Sequence, residues 1–473
     1  MKRFYIFIVA FLISINFLNA KVTLPSIFTD NMVLQQKTEV SMWGWARANA
    51  SITIVTSWDN KTHKSEADKL GRWKIGIVTI EAGGPYEITI SDGETIVLKN
   101  IMLGEVWLCS GQSNMEMPMK GFFGQPVTGS NEIIARSTNS NIRIITVPRS
   151  SQTTPQDNFE GQWVEASPGT VANFSATGYF FGELLNDVLD VPIGLINVSY
   201  GGSCIQAWMS KNTSRSFEDT QIPEAKDTIK IPNRTPTTLF NGMLNPVIGY
   251  GIKGCIWYQG ETNYQESTIY PELFKTMVEE WRQLWKIGEF PIYYVQIAPF
   301  NYKLFTPDNW IESYNSAYIR EAQLKAMDII PHSGMAVIMD TGEKDCIHPA
   351  NKKAAGTRLA YWALAKTYGI EGIGYISPSY KAIEIKDTSI IVSFNNVDRG
   401  LTSFGKKLTT FEIAGNNKVF YPANAILRRK SVVLSSPQVK KPVAVRYAFK
   451  DYVIGELFGA DGLPVSSFRT DDW

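Results

Sequence analysis

The chain of 473 residues contains only three histidines, His63, His332 and His348, and only four cysteines. These side chains are too few for a histidine-rich metal cluster, and the cysteines lack zinc-type spacing. The formal net charge is only +1, which argues against a partner such as nucleic acid or an anionic membrane. Internal repeats and low-complexity linkers are also missing. The composition therefore indicates a globular chain, and its length predicts two to four domains.

The first 20 residues have the pattern of a signal peptide. Lys2 and Arg3 precede the apolar run Phe4–Phe17, and Ala20 supplies the small residue that cleavage requires. An uncleaved anchor is the alternative because Leu18 is larger than the residue usual at its position. The run is short for a membrane-spanning helix, and no later stretch is apolar for long enough. The segment predicts export, to the periplasm or outside the cell, after cleavage near Ala20.

Three regions with different patterns follow this segment. Residues 21–103 carry short strand-like segments separated by turn residues, which is typical of a small β-sandwich. Residues 104–373 alternate strand-like and helical runs, which predicts a mostly parallel sheet covered by helices on both faces. Residues 374–473 are strand-like again and predict a second β-rich module. The predicted fold class is therefore α/β, with a three-layer α/β/α domain flanked by two β-rich modules.

The alternation in the middle region yields specific predicted elements. The strands are Val106–Cys109, Ile142–Val147, Ile193–Ser199, Gly254–Tyr258, Ile292–Ile297 and Met335–Asp340. The helices are Ala176–Val188, Pro271–Trp285, Ser316–Met327 and Pro349–Tyr368. In a parallel sheet of this kind, the ligand site lies at the carboxyl ends of the strands.

One serine stands directly after the first of these strands. Residues 108–115 read Leu-Cys-Ser-Gly-Gln-Ser-Asn-Met, and the Gly-Gln turn would lift Ser113 to the carboxyl edge of the sheet. A serine that starts a helix is the alternative interpretation. The motif differs from the Gly-x-Ser-x-Gly elbow of the α/β-hydrolases.

A serine nucleophile needs a base, and histidine is the usual one. Asp345 precedes His348 by three residues, whereas His332 precedes a strand and His63 lies in the N-terminal module. The Asp345 carboxylate could reach the ring nitrogen that faces away from Ser113 and fix the tautomer. These residues predict acyl transfer to water by Ser113, His348 and Asp345, with no metal or organic cofactor.

Two further motifs follow predicted strands at the same edge. Gly201-Gly202 would let the backbone approach a substrate closely, although an ordinary turn is the alternative. The N–H groups of Ser113 and Gly202 are candidate oxyanion donors. The amide of Gln259 or of Asn263 could complete the oxyanion hole, and Gln259 is favoured because it is nearer to its strand end.

Three more residues are candidate substrate contacts because they lie within or close to these motifs. Gln112 precedes Ser113, and Trp208 is either part of a sugar platform or a core residue. Glu261 could contact the substrate or orient neighbouring groups. The polar segment Asn212–Thr238 predicts a long loop over the site.

The cysteines divide into two pairs. Cys109 and Cys255 lie in apolar strands and are predicted to be buried thiols. Cys204 lies in the glycine loop and Cys346 in the histidine loop, so both should approach the site. A disulfide between them would be possible in an oxidising compartment, and two free thiols are the alternative.

Several blocks of the sequence resemble the sialate O-acetylesterase family, a branch of the SGNH-type hydrolases. They are Phe28–Gln35, Gly104–Met115, Tyr200–Ser203, Trp257–Asn263, Asp345–Pro349, Gly462–Pro464 and Phe468–Trp473. The resemblance covers nearly the whole chain after the signal segment and implies an SGNH-type α/β/α domain. The block Trp257–Asn263 departs from the Gly-x-Asn-Asp pattern of SGNH enzymes, which leaves the third oxyanion donor open.

The resemblance also implies a function. It predicts a serine ester hydrolase that removes acetyl groups from an O-acetylated glycan, with sialate esters as the main expectation. Acetylated xylan or another plant polysaccharide is an alternative substrate. A non-catalytic glycan-binding protein on an esterase fold is a further alternative, although the presence of all the motif residues argues against it. No membrane contact beyond the signal peptide is expected.

Overall fold

The computed structural model describes residues 21–218, 220–306 and 308–473. The predicted signal peptide, residues 1–20, lies outside them. None of the helices in this part of the chain is both long enough and apolar enough to cross a membrane.

The strands and helices of the described residues follow the chain in this order. The strands are β1 Val33–Gln35, β2 Glu39–Trp45, β3 Ser51–Thr56, β4 Thr62–Glu66, β5 Arg72–Val78, β6 Gly83–Ser91, β7 Thr95–Gly111, β8 Asn139–Thr146, β9 Val164–Ala166, β10 Ile193–Ser199, β11 Gly254–Tyr258, β12 Ile292–Val295, β13 Ser333–Ala336, β14 Ser379–Lys386, β15 Ser389–Asn395, β16 Leu401–Thr402, β17 Phe411–Ala414, β18 Phe420–Pro422, β19 Asn424–Leu427, β20 Ser431–Ser435, β21 Ala444–Tyr447, β22 Phe458–Gly459 and β23 Phe468–Arg469. The α-helices are α1 Ser113–Glu116, α2 Ser130–Arg136, α3 Pro168–Val171, α4 Ala176–Leu189, α5 Lys211–Ser214, α6 Tyr270–Trp285, α7 Ala317–Ile329 and α8 Lys352–Trp362. Shorter 3₁₀ or π segments are Ile205–Trp208, Phe240–Leu244, Asn245–Val247, Glu261–Glu266, Tyr302–Phe305, Glu312–Tyr314 and Ala363–Thr367.

A parallel sheet forms the centre of the molecule. Its order is β13-β12-β11-β7-β10-β8, and the short β9 adds an antiparallel edge. Every residue of β10 and β11 is buried, as expected for parallel strands covered on both faces. Trp107 packs into the layer beside α4 and α8, whereas its neighbour Leu108 packs into the layer beside α6 and α7. The predicted three-layer α/β/α fold class is thus confirmed.

The N-terminal β module is joined to this sheet by a single long strand. The first half of β7 pairs with β6 and, in parallel, with β1; the second half pairs with β10 and β11. The module boundary expected after residue 103 therefore falls inside a continuous strand. This strand delivers residue 111 to the carboxyl edge of the central sheet.

The C-terminal β module packs against the central domain through buried polar contacts. Its strands form the sheets β14-β15-β20-β19 and β18-β17-β21-β23, with the pair β16-β22. The guanidinium of Arg320 is buried on α7 and donates hydrogen bonds to the carbonyl of Lys450 and the hydroxyl of Ser467. A buried guanidinium needs such acceptors, so α7 and this module are held together specifically.

The last helix is shorter than predicted. It begins at Lys352 instead of Pro349, with the side chain of Asn351 capping the N–H of Ala354. The carbonyl of Ala350 accepts a hydrogen bond from Thr128 N and is therefore tied to another loop. This tie keeps the residues after His348 in an irregular loop.

Candidate functional site

Ser113 begins α1 immediately after β7. A Cβ atom at Gly111 would lie 2.2 Å from the carbonyl oxygen of Tyr258, and φ at Gly111 is 133°, so this strand end requires glycine. The N–H of Gln112 donates to the same carbonyl at 2.9 Å. Ser113 is half-buried between the fully buried Gln112 and Asn114. The turn therefore leaves Ser113 as the accessible residue of the motif.

The side chain of Asn114 ties three loops together beneath Ser113. Its Nδ2 donates to the carbonyl of Ile347 at 3.1 Å and to the carboxylate of Glu261. Its Oδ1 accepts from Lys352 Nζ at 2.8 Å, and the same ammonium donates to the carbonyl of Pro349 at 2.7 Å. The serine turn, the loop after β11 and the histidine loop are thus joined by buried hydrogen bonds.

The two charged members of this network carry shifted pKa values. Burial raises the pKa of Glu261 to about 6, and its second oxygen, Oε2, has no hydrogen-bond partner among the described residues. Burial lowers the pKa of Lys352 to about 7, an effect that outweighs the attraction of Glu261. Desolvation disfavours the charged form of each group.

His348 lies on the loop before α8 and is half-buried. Its Nδ1 is 2.6 Å from Oε1 of Gln125, and its ring meets the ring of Phe122 edge to face. Burial, followed by the charge of Lys352, lowers the pKa of His348 to about 4. The imidazole is therefore neutral near pH 7 and can accept a proton.

Asp345 does not meet the imidazole as the sequence led us to expect. Its side chain is exposed, and within the described ranges it makes no hydrogen bond or ion pair with His348. The position expected for the carboxylate, next to Nδ1, is taken by Gln125. Sequence reasoning missed this glutamine because no local pattern connects it with the histidine loop.

The other two histidines lie away from this edge. His332 is exposed at the amino end of β13, where the sequence placed it, and its Nε2 lies 3.4 Å from Glu289 Oε2. His63 lies in β4 of the N-terminal module. It is half-buried there, and its Nε2 is shielded without a hydrogen-bond partner among the described residues. Only His348 is placed beside the serine turn.

The glycine loop after β10 approaches Ser113 closely. A Cβ atom on Gly201 would lie 3.3 Å from Cβ of Ser113 and 2.9 Å from Glu116 Oε2, which accepts from Gly201 N. Gly202 has a φ of 68°, and Asn233 Nδ2 donates to the carbonyl of Gly201 at 2.7 Å. The N–H groups of Ser113 and Gly202 make no hydrogen bond within the described part of the chain. Both remain available to an oxyanion.

The two side-chain amides expected to complete the oxyanion hole are buried and already bonded. Gln259 Nε2 donates to the carbonyl of Ser203 at 3.1 Å and to Asn263 Oδ1 at 2.6 Å. Asn263 Nδ2 donates to Gln206 Oε1 at 3.0 Å and to Glu266. In this arrangement these amides support the loop that follows the glycines.

Trp208 is fully buried, so the expectation that it forms part of a sugar platform is wrong. Its Nε1 donates to Ser203 Oγ at 2.9 Å, and its ring packs edge to face on Trp257. The core-packing alternative is the one that the structure adopts.

Gln112 and Glu261, the other two expected substrate contacts, are also buried. Gln112 Oε1 accepts from the backbone N–H groups of Gly260 and Thr262, each at 3.3 Å. Glu261 accepts from Asn114. Both side chains are held by hydrogen bonds within the protein and orient neighbouring loops.

The four cysteines are free, so the disulfide considered between Cys204 and Cys346 is not formed. The Cys204 thiol donates to the carbonyl of Arg234 at 3.2 Å, and the Cys346 thiol to the carbonyl of His348 at 3.3 Å. Each thiol therefore faces its own loop. Burial raises the pKa of Cys204 to about 11.

The glycine loop is stabilised by an ion pair between Arg149 and Glu116 that the sequence analysis did not predict. Arg149 donates to both oxygens of Glu116, and its guanidinium lies 4.9 Å from the centre of the Tyr200 ring. Since Glu116 also accepts from Gly201 N, the pair connects α1 to the glycine loop. In the sequence, the feature that could have indicated this ion pair was Glu116, three positions after Ser113.

A cleft of about 620 Å³ opens beside the glycine loop. Its walls include Cys204, Phe217, Arg234, Thr262 and Gln265. Part of the polar segment Asn212–Thr238 forms one wall. The volume of this cleft is within the range of small-molecule sites, and most of the residues that line it are polar.

Comparisons with known proteins identify the family of this chain. A family model described as carbohydrate esterase, sialic acid-specific acetylesterase matches residues 103–364, more than half of the chain. The human sialate O-acetylesterase is 27% identical over 399 residues, which cover 76% of this chain and 74% of the human protein. The mouse sialate O-acetylesterase is 25% identical and covers 89% of this chain and 88% of its own.

A solved structure is similar over almost the whole chain. A carbohydrate acetylesterase of Xanthomonas citri superposes with a TM-score of 0.86 and 34% identity, covering 96% of this chain and all of that one. The resemblance drawn from the sequence blocks is confirmed. This chain is a serine ester hydrolase and belongs to the carbohydrate esterase family of sialic acid-specific acetylesterases.

Proposed function

We propose that this protein is an exported O-acetylesterase that removes acetyl groups from the hydroxyls of sialic acid. The observation that carries the proposal is the hydrogen bond from Asn114 to Ile347, since it joins the residue after Ser113 to the residue before His348. The relatives named sialate O-acetylesterase support the sugar.

The proposed reaction begins with attack of Ser113 Oγ on the acetyl carbonyl carbon. His348 Nε2 accepts the serine proton and returns it to the departing sugar oxygen. The N–H groups of Ser113 and Gly202 stabilise the tetrahedral oxyanion. Water, deprotonated by His348, then hydrolyses the acetyl-enzyme, which releases acetate and restores the serine.

Two roles in this scheme stay open as proposals. Asp345 is the carboxylate expected to support His348, and Gln259 or Asn263 is the expected third oxyanion donor. Asp345 is exposed, and both amides are bonded elsewhere. The reaction above therefore assigns the oxyanion to the backbone N–H groups of Ser113 and Gly202, and either further role would require a rearrangement.

The carboxylate of a sialic acid needs a cationic partner, and Arg234 is well situated for it. This arginine is exposed on the cleft wall and has no ion-pair partner within the described residues. Its neighbour Asn233 holds the glycine loop. We expect Arg234→Gln to raise KM for acetylated sialosides by about 10-fold, the cost of one charge-assisted hydrogen bond, and to leave p-nitrophenyl acetate hydrolysis unchanged.

The catalytic part of the proposal is tested with p-nitrophenyl acetate. Ser113→Ala and His348→Ala should each lower kcat by at least about 10³-fold, and the double variant should lose little more. His332→Ala, on the opposite edge of the sheet, is the matched control. Near-normal turnover by either active-site variant would refute the assignment, and a folded wild type without hydrolysis would favour a glycan-binding protein.

The substrate is tested with a panel of acetylated glycans. O-acetylated sialosides should be hydrolysed with a higher kcat/KM than acetylated xylo-oligosaccharides. The reverse order would make the protein an acetyl xylan esterase with the same chemistry. Export is tested separately by N-terminal sequencing of the secreted protein, which should begin at Lys21.

A further inference from the structure

A second cleft lies between the N-terminal β module and the central domain, and its volume is about 340 Å³. One wall is the two-stranded ribbon formed by β2 and β5. The other wall comes from the central domain and consists of Asp157, Asn245, Pro246 and Ile248. Of the described residues that line this ribbon cleft, none belongs to the serine turn, the glycine loop or the histidine loop. The ribbon cleft is therefore separate from the proposed catalytic site.

The ribbon wall carries two tryptophans. Trp43 and Trp45 are two residues apart on β2, so their side chains lie on the same face of the strand. Their cross-strand partners on β5 are Lys74 and Arg72, whose side chains share that face. Both tryptophans are half-buried. The cleft thus has an aromatic wall flanked by two long cationic side chains.

The ring of Trp45 is not used to build the core. Trp43 packs against the core, and its ring meets the ring of Phe28 edge to face, with centroids 4.7 Å apart. Trp45 is not among the described residues that pack against either hydrophobic cluster, and its backbone alone is held, by Thr23. A tryptophan in this state still has apolar surface that a ligand can bury.

Two side chains of opposite charge face this cleft without pairing. Lys74 Nζ reaches the central domain, where it lies 3.8 Å from the position of a Cβ atom on Gly249. Asp157 is exposed on the other wall. Within the described ranges, neither side chain forms an ion pair or a hydrogen bond. A donor and an acceptor are therefore left unused on the two walls.

We propose that the ribbon cleft is a second carbohydrate-binding site, which takes a neutral pyranose unit of an oligosaccharide or polysaccharide. The C–H groups on one face of a pyranose are weakly positive and pack on the negative face of an aromatic ring. Sugar hydroxyls both donate and accept hydrogen bonds, so they fit an ammonium donor and a carboxylate acceptor. Trp45 supplies the ring, Asp157 the acceptor and Lys74 the donor.

The charges of the cleft favour a neutral sugar over an acidic one. Lys74 and Asp157 have opposite charges, and Arg72 is neutralised by Asp68 in an ion pair at 3.0 Å. A sugar carboxylate in this cleft would face the like charge of Asp157. The cleft beside the glycine loop differs, because Arg234 has no ion-pair partner there within the described residues. The two clefts therefore suit different units of a glycan.

The size of the ribbon cleft also fits this ligand. Its volume is near the lower end of the range for small-molecule sites, which suits a single sugar unit and not a folded partner. Binding of a polymer at a second site raises the effective concentration of its esters near the catalytic serine. The inference goes beyond the proposed function, since binding in this cleft does not depend on which residues carry out the hydrolysis.

Binding is tested on the full chain by isothermal titration with three neutral probes, xylohexaose, cellohexaose and lacto-N-neotetraose. We expect at least one probe to bind and Trp45→Ala to weaken its affinity by about 10-fold or more, as truncation of a central tryptophan contact does. Trp58→Ala is the matched control, because Trp58 is a half-buried tryptophan of the same module that lies outside the cleft. The control should bind as the wild type does.

A second variant removes the acceptor without touching a ring. Asp157→Ala should weaken binding of the same probe by about 10-fold, the effect of losing one hydrogen bond to a charged group. Glu160→Ala, at an exposed acid three residues further along and outside the cleft, should leave the affinity unchanged. Since Asp157 is exposed, this variant keeps the proposal testable if Trp45→Ala fails to fold.

Hydrolysis of p-nitrophenyl acetate checks the fold and separates this inference from the proposed function. Trp45→Ala and Asp157→Ala should keep the wild-type kcat and KM for this small ester, because the ribbon cleft takes no part in the reaction. If Ser113→Ala kept its activity, the proposed function would fail, while the titrations would remain readable.

Three results would overturn the inference. The first is that none of the neutral probes binds, for instance if the cleft takes a proline-rich peptide instead. The second is equal affinity in Trp45→Ala, Asp157→Ala and their controls, which would place the bound sugar elsewhere. The third is that 3′-sialyllactose binds more tightly than every neutral probe and is weakened by Trp45→Ala, since the cleft would then select an acidic sugar.

Discussion

The side-chain amide of Asn114 donates a 3.1 Å hydrogen bond to the carbonyl oxygen of Ile347. These residues are separated by 233 positions in the chain, yet one directly follows Ser113 and the other directly precedes His348. The relative placement of the proposed nucleophile and base thus depends on one buried amide. That amide is oriented in turn by Glu261 and Lys352.

Asn114→Leu should therefore lower kcat without changing which residues do the chemistry. We expect a loss of about 10²-fold, since a displacement near 1 Å of reacting groups has this effect, and little change in KM. Folded stability should fall by about 1–3 kcal/mol because buried partners lose their hydrogen bonds. Asn173→Leu, at an exposed asparagine, is the control in steady-state kinetics and urea unfolding. Unaltered kcat in Asn114→Leu would mean that the loops are positioned independently.

Gly202 offers a test of the oxyanion role proposed for the glycine loop. Its φ is 68°, and a Cβ atom there would lie 2.8 Å from Asn233 Nδ2, so Gly202→Ala should shift the loop and its N–H. We expect kcat to fall by about 10²–10³, the cost of losing one oxyanion donor. Gly129→Ala is a matched control because Gly129 has a φ of 75° and open space around it. Equal activity in both variants would remove Gly202 from the oxyanion hole.

The buried amides should behave differently from Gly202. Because the amide hydrogens of Gln259 and Asn263 are used within the protein, Gln259→Ala and Asn263→Ala should each cost about 1–3 kcal/mol of stability. We expect kcat to change by less than about 10-fold, below the loss typical of an oxyanion donor. Chemical denaturation and kinetics on the same samples distinguish the roles. A loss of about 10²–10³ in kcat with normal stability would identify that amide as the third donor.

The pH profile should show that the base is neutral over an unusually wide range. Since the pKa of His348 is lowered from 6.5 to about 4, the unprotonated form persists well below pH 6. We expect kcat/KM for p-nitrophenyl acetate to fall only as the pH drops through about 4, with the fold checked by circular dichroism at each pH. An acid limb near 6.5 on folded enzyme would indicate that His348 is paired with a carboxylate, for which Asp345 is the nearest candidate in sequence.

The positions of Ser113, Gly202 and His348 could be predicted because each follows a strand of a parallel sheet. The carboxyl ends of such strands lie on one edge, so the order of strands and turns brings these residues to one site. Gln125 and Lys352 could not be predicted in the same way. Their partners lie far away in sequence, and only the packing of the loops unites them.

Trp208 illustrates a second limit of sequence reasoning. A tryptophan close to a catalytic motif fits both a sugar platform and a core position, and local sequence does not separate these. The two positions are distinguished only in the folded structure. There Trp257 packs against the ring of Trp208, and the hydroxyl of Ser203 accepts a hydrogen bond from its N–H. The disulfide considered for Cys204 and Cys346 failed for a related reason, because thiol directions depend on loop conformation.

The stability of the buried network should depend on pH in two opposite senses. The pKa of Glu261 rises from 4.5 to about 6 on folding. The contribution of Glu261 to folding stability is therefore fully present below pH 4.5 and is lost as the pH rises through about 6. The pKa of Lys352 falls from 10.5 to about 7, so the unfolded chain binds more protons between these values. The contribution of Lys352 to stability therefore increases as the pH rises from about 7 toward 10.5.

Lys352→Met tests this linkage directly. We expect it to cost about 3 kcal/mol near neutral pH, because Asn114 and Pro349 lose a buried donor and Glu261 loses its cation. The difference in unfolding free energy between wild type and variant should widen from pH 7 to pH 10. Urea unfolding across that range measures it, with the exposed Lys353→Met as the control on the same helix. A difference that stays constant with pH would show that Lys352 keeps an ordinary pKa in the folded protein, and that the network beneath Ser113 holds a charged ammonium throughout.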